Sequence, residues 1–227
     1  MNGMIDDFKN SEKQHFFVGI DLSGPSNLTD TVLTCFKNKD AGVELIHTIE
    51  GAGDRDIQDY CVELNKTGCM WVGLDAPLSY NRGGGLRPAD KSLKKRTIAA
   101  GLHPGSVMPP TFNRMVYLTL RGISVARSLQ GIPDWQGGLV EVHPGATFAL
   151  RGAAIDGVRG YKKDMAARLE LLEWLGRQGM AGVSVDQPSD HYVASCGAAL
   201  AAWKWQLGAS EWLHPAVAPE HPFDFSA

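Results

Sequence analysis

The chain is poor in cysteine and has no long apolar run. Four cysteines, Cys35, Cys61, Cys69 and Cys196, are spread over 227 residues, and no two form a C-x-x-C pair. That spacing excludes the usual zinc sites and a disulfide-dense scaffold, and it suits free thiols in a reducing compartment. No stretch approaches the ~20 apolar residues that span a bilayer. The opening, MNGMIDDFKNSEKQH, is polar and mixed in charge, unlike a secretory signal. A cytoplasmic protein with no membrane partner is expected. Neither sign of charge dominates: 22 Lys and Arg stand against 25 Asp and Glu, a net charge of −3. The field of the whole molecule does not draw in nucleic acid, so a polyanion needs a local basic patch or metal ions. Internal repeats are absent too. What the chain does have is 44% hydrophobic residues and six Trp, ample for one large core, and a chain of this size buries roughly 70% of its unfolded surface.

Residues 1–14 read as a disordered leader. HFFVGIDL, DTVLTCFK (30–37) and GVELIHTIE (42–50) follow as three short β-rich runs separated by turn residues, the spacing of an antiparallel meander. In DRDIQDYCVELNK (54–66), Ile57, Tyr60, Cys61 and Leu64 recur at helical spacing. CMWVGLDAPLSY then repeats the opening pattern, an apolar strand that ends on an acid. Residues 80–111, rich in Gly and Pro, read as an irregular insertion with a short basic helix inside it. A helix is predicted over 112–129 and a strand over 138–144. A second helix, 162–179, carries a stripe of Met165, Leu169, Leu172 and Leu175, and a buried helix over 187–208 has Pro188 in its first turn. The tail, 209–227, holds three prolines in its last fourteen residues and reads as loosely ordered. This order predicts an α/β domain over 15–208, with a mixed sheet in which an antiparallel meander is extended by parallel strands and flanked by helices. A ribonuclease H-like fold has that layout.

Three strands end on or beside a carboxylate, Asp21, Asp75 and Glu141, and Asp190 opens the last helix. In open α/β sheets functional groups gather at strand ends near the sheet centre. Several carboxylates in one place repel, and Mg²⁺ or Mn²⁺ relieves that repulsion with oxygen ligands, waters and substrate phosphates. Two such ions ~4 Å apart activate a water and stabilise a leaving oxygen. The competing reading is that each acid caps a turn or helix, and Asp190 is a natural partner for a helix N-terminus.

VGIDLSG, VGLDAPLSY, LRPAD, VEVHPGATFALRG, YKKDMAARLELL and DHYVASCGAALAAW occur in the order of the motifs of a family that the chain resembles, domain of unknown function 429, a predicted ribonuclease H-like nuclease family. The resemblance covers roughly residues 16–207. It implies a ribonuclease H-like fold and a metal-dependent acidic site at Asp21, Asp75 and Glu141. The last helix of that family reads His, two residues, Asp-Ala. Here His191 is followed at that place by Ala194, and Asp190 lies four residues before it, ~6 Å along a helix at 1.5 Å per residue. A descendant that binds without catalysis is therefore the alternative to a nuclease or related phosphoryl hydrolase.

For substrate phosphates, Arg87, Lys94 and Lys95 in LRPADKSLKKR are candidates, against the reading of a solvated helix face. His143 follows Glu141 on the same strand face and is a candidate to orient a ligand, or else a structural histidine. Lys162 and Lys163 either contact phosphates or occupy an exposed first turn. Trp174, Trp203 and Trp205 sit on helices, where core packing competes with base stacking. The GIDLSG strand also suits a kinase-like phosphate loop, but that architecture needs two copies of the fold, and 227 residues hold one.

Overall fold

A computed structural model describes residues 14–227. The leader, apart from Gln14, lies outside the described residues. The chain runs β1 (His15–Asp21), β2 (Val32–Lys39), β3 (Gly42–Glu50), α1 (Asp54–Asn65), β4 (Cys69–Asp75), α2 (Pro88–Ala99), α3 (Met115–Gln130) and β5 (Gly137–Val142). It continues through α4 (Pro144–Leu150), α5 (Ile155–Gly160), α6 (Met165–Arg177), β6 (Met180–Ala181), α7 (Asp190–Gln206), β7 (Leu213–His214) and β8 (Phe225–Ser226). The strands form one mixed sheet in the order β6-β3-β2-β1-β4-β5-β8-β7. The predicted meander is present, with β1, β2 and β3 paired antiparallel. Beyond it β4 runs parallel to β1, and β5 parallel to β4. The architecture is α/β, a mixed eight-strand sheet flanked by helices.

Burial on both faces follows from the alternation of side chains along a strand. From β1, Phe16, Val18 and Ile20 pack with Ile57, Cys61, Val125 and Leu129 of α1 and α3. Phe17 packs on the other face with α6 and α7, among Leu171, Leu175, Ala199 and Trp203. Helix α7 lies unusually close to the sheet. A Cβ on Gly19 of β1 would stand 2.0 Å from the Ser195 carbonyl oxygen, and one on Gly73 of β4 would stand 2.3 Å from that of Ala198. The close approach needs glycine on the strands and small residues on the helix, and α7 supplies Ala194, Ser195, Gly197, Ala198, Ala199, Ala201 and Ala202.

Four expectations are corrected. The tail joins the sheet: β8 lies parallel to β5, β7 pairs with β8, and Trp212 and Phe225 are buried. It covers the edge of β5, whose backbone groups would otherwise lack partners. The lysines at 162 and 163 precede α6, which starts at Met165 after the Asp164 cap. On that helix Met165 and Leu169 are exposed, while Ala167, Leu171, Leu172, Trp174 and Leu175 are buried, so the apolar stripe is rotated from the predicted one. Trp174 and Trp203 belong to the core. Pro188 precedes the Ser189 cap of α7 and lies outside its first turn.

Candidate active site

Asp21 and Asp75 face each other across the β1–β4 pairing, in register at the ends of adjacent parallel strands. Each lies two residues beyond a glycine, on the same face as that glycine. The glycines let α7 settle on the sheet, and the aspartates then meet its N-terminal turn. There the His191 Nδ1 lies 2.6 Å from Asp21 Oδ2. The hydrogen bond to the Asp21 carboxylate raises the pKa of the His191 imidazole above its ordinary value. Asp75 is half-buried, with Asp21 in hydrogen-bonding reach. Burial, and next the Asp21 charge, push its carboxyl well above the usual range, and Lys162 opposes that rise. Two carboxylates placed this way call for a counter-charge.

Both acids line a cavity of about 1100 Å³, together with Asp190, His191, Ala194, Tyr161, Lys162 and Lys163. Tyr161 is buried, and burial, with Asp21, Asp75 and Asp190 nearby, holds its hydroxyl well above the ordinary value. The lysine turn is held by Arg168, whose Nε donates to the Tyr161 carbonyl at 2.7 Å and whose Nη2 donates to that of Lys162 at 3.1 Å. Arg168 also reaches the Pro188 carbonyl at 3.3 Å and lies 4.0 Å from Asp190, so it ties the lysine turn to the start of α7.

Glu141 is turned away from this pair. It is in register with Leu74, one residue short of Asp75, and a shift of one residue reverses the face. Its oxygens are already engaged: the Arg87 Nη1 donates to Oε2 at 2.8 Å, the Leu78 N–H donates to the same atom at 2.9 Å, and Arg87 Nη2 bonds Oε1. Arg87 also bonds both Asp90 oxygens through Nε and bonds the Ser79 hydroxyl. All three charged residues are buried. Arg87, Asp90 and Glu141 line the same cavity as the aspartate pair, but there Arg87 and Glu141 each satisfy the other. Among the described residues no three His, Cys, Asp or Glu side chains are placed to hold a metal ion together. Asp21, Asp75, Glu141 and Asp190 all line the one cavity, with Asp21 and Asp75 paired at the strand ends and Glu141 held by Arg87.

Two other assignments change. Lys94 is half-buried and Lys95 exposed on α2, and neither lines the cavity. His143 has both ring nitrogens in use. Nδ1 accepts the Ala146 N–H at 3.1 Å as the cap of α4, and Nε2 donates to the Ser106 carbonyl at 2.9 Å. It fastens the loop after α2 to α4 and has no nitrogen left for a ligand. Burial, and after it the nearby Lys162, holds its pKa below the ordinary 6.5. A histidine with a depressed folded pKa contributes stability that is complete above the unfolded value and is lost as pH falls through the folded one. His191, raised by Asp21, acts in the opposite sense and loses its contribution as pH rises. Thermal melts from neutrality down to about pH 5 should therefore fall more steeply for the parent than for His143→Asn, which keeps a capping side chain without the charge. Equal slopes would remove His143 as the cause.

The cysteine expectation is consistent with the structure. All four thiols are free, and burial pushes Cys35, Cys61 and Cys196 up to about 12, too high for nucleophiles.

Residues 19–220 match the family described as Protein of unknown function (DUF429). The chain belongs to this family. The DUF429 match includes the Gly19 to Asp21 strand end, Asp75, the Arg87 cluster and all of α7, and it stops short of β8. No curated protein and no solved structure matches the chain. No helix among the described residues is long and apolar enough to cross a membrane.

Sequence reasoning missed His191 and Tyr161 as site residues. A signal for His191 was present in the repeated Gly-x-Asp of the two strands and the small-residue run of α7. Both say that the helix start must meet the strand ends. Tyr161 carried no comparable signal.

Proposed function

We propose that this protein is a metal-dependent phosphoryl hydrolase of the ribonuclease H-like class, a nuclease or close relative, working at the Asp21–Asp75 pair. One observation carries the reading: two aspartates stand side by side on the α7 face of adjacent parallel strands and line a large cavity. A pair of carboxylates fits Mg²⁺ or Mn²⁺, which commonly take one or two protein carboxylates and complete their shell with water and substrate phosphate. Bound there, such an ion supplies Lewis acidity and an activated water. His191 holds the Asp21 carboxylate in position. Lys162 and Lys163, fixed by Arg168, face the phosphate and balance its charge. Asp190, next to His191 at the start of α7, offers one more oxygen.

Ala194 favours a second reading, a binding module without catalysis, because it puts a methyl on the cavity wall where the resembled pattern has an acid. Titration with Mn²⁺ by calorimetry tests the site. Saturable binding is expected, weakened ~10-fold or more in Asp21→Asn, about 1.4 kcal/mol. No binding to either protein would overturn the metal site. Binding without hydrolysis of bis(p-nitrophenyl) phosphate would select the second reading.

A further inference from the structure

The cavity has a second character besides its acids. Met108, Met115 and Leu118 line it, Leu118 partly buried against the core under α3. Met108 is 44% exposed. An exposed methionine held in place is unusual, and the loop around Met108 is fastened on both sides. The Ser106 carbonyl accepts from His143 at 2.9 Å, and the Pro110 carbonyl accepts from the Thr119 hydroxyl at 2.8 Å. Next to Met108, Val107 is buried. The wall is thus built before any ligand arrives, which lowers the ordering cost of binding. Thioethers are polarizable and make favourable contacts with aromatic rings. The same cavity carries the aspartate pair, Lys162 and Lys163. One cavity therefore presents charged groups and an apolar patch.

Size and charge restrict what the cavity takes. About 1100 Å³ lies at the upper edge of small-ligand sites, ~300–1,000 Å³. A long polyanion requires a track of cations. Outside the cavity the nearest cluster is on α2, where Lys94 and Lys95 do not line the cavity, and the net charge is −3.

Resting on the phosphoryl-hydrolase reading, we propose that the cavity takes a small nucleotide-class phosphoester. Its phosphate sits at Asp21, Asp75 and the lysine turn, and its flat ring lies on the wall of Met108, Met115 and Leu118. Long nucleic acid is not the ligand of this site.

Calorimetry in the presence of Mn²⁺ tests this with four probes: adenosine 5′-thiomonophosphate, ribose 5-phosphate, adenosine and a single-stranded DNA oligonucleotide. The thiomonophosphate should bind ~10-fold or more tightly than ribose 5-phosphate, in line with base-stacking contributions. In the double variant Met108→Ala, Met115→Ala that margin should shrink to ~2-fold, with Mn²⁺ affinity unchanged. Equal affinity of the two phosphates for the parent protein would overturn the apolar subsite and leave the hydrolase reading standing. An oligonucleotide that binds more tightly than the thiomonophosphate would overturn the small-ligand assignment. Adenosine binding with no Mn²⁺ binding would keep the apolar wall and sink the metal reading. Mn²⁺ binding with neither phosphate bound would overturn the proposal.

Discussion

Replacing Arg87 by Met is expected to lower the melting temperature by ~6–20 °C, the largest loss for any single side chain on the cavity side of the sheet. The guanidinium is the shared partner of Glu141 and Asp90, and all three are buried. Its removal leaves two buried carboxylates without their cation. Breaking a buried pair in this way costs about 3–5 kcal/mol, and in a chain of this size each kcal/mol moves the midpoint by ~2–4 °C. The loss is a matter of uncompensated charge more than of a lost bond, so a second substitution should restore part of it. Adding Glu141→Gln removes one of the stranded charges and keeps an acceptor for the Leu78 N–H. The double variant should recover about half of the deficit. Thermal unfolding followed by circular dichroism measures both. A double variant no more stable than the single one would show that charge is not the cause.

Gly19→Ala should cost ~3 kcal/mol or more, a drop of at least ~6 °C, although the change adds only a methyl. That methyl would stand 2.0 Å from the Ser195 carbonyl oxygen and 2.4 Å from the Ala199 nitrogen. Both are backbone atoms, which cannot rotate away, so α7 must lift. Lifting it carries His191 away from Asp21, and Mn²⁺ affinity should fall together with stability. Gly24→Ala, just beyond the same strand, is the control. Nothing lies within 4 Å of its Cβ position, and it should change neither quantity. If Gly19→Ala melted like the parent, the close packing of α7 would not be what positions the site.

Most of the sheet was legible because its signals are local. The β-rich runs and turn residues of 15–50 specify a meander, and the apolar strand ending on Asp75 announces a partner for β1. The pairing of Asp21 with Asp75 was legible for the same reason, since two strands built on Gly-x-Asp end alike. The fate of Glu141 was not legible. Its strand also ends on an acid, but which residue it lies opposite depends on how β5 slides along β4. A slide of one residue carries the side chain to the other face, into the reach of Arg87. The basic segment near residue 90 gave no hint that one of its cations is buried while Lys95 is exposed.

The tail misled for a different reason. Prolines and short polar runs read as disorder, yet two-residue strands are enough to cover an edge that would otherwise expose its hydrogen-bonding groups. By itself, the sequence determined an α/β domain with a meander, a small-residue helix and two aspartates at strand ends, because periodicity and turn chemistry act over a few neighbouring residues. Only the tertiary structure decided that Asp21 and Asp75 pair while Glu141, lining the same cavity, is held by Arg87, that His191 bonds Asp21, and that Met108 and Met115 line that cavity too. Those facts depend on strand register and on the approach of α7 to Gly19 and Gly73, contacts between residues more than a hundred positions apart.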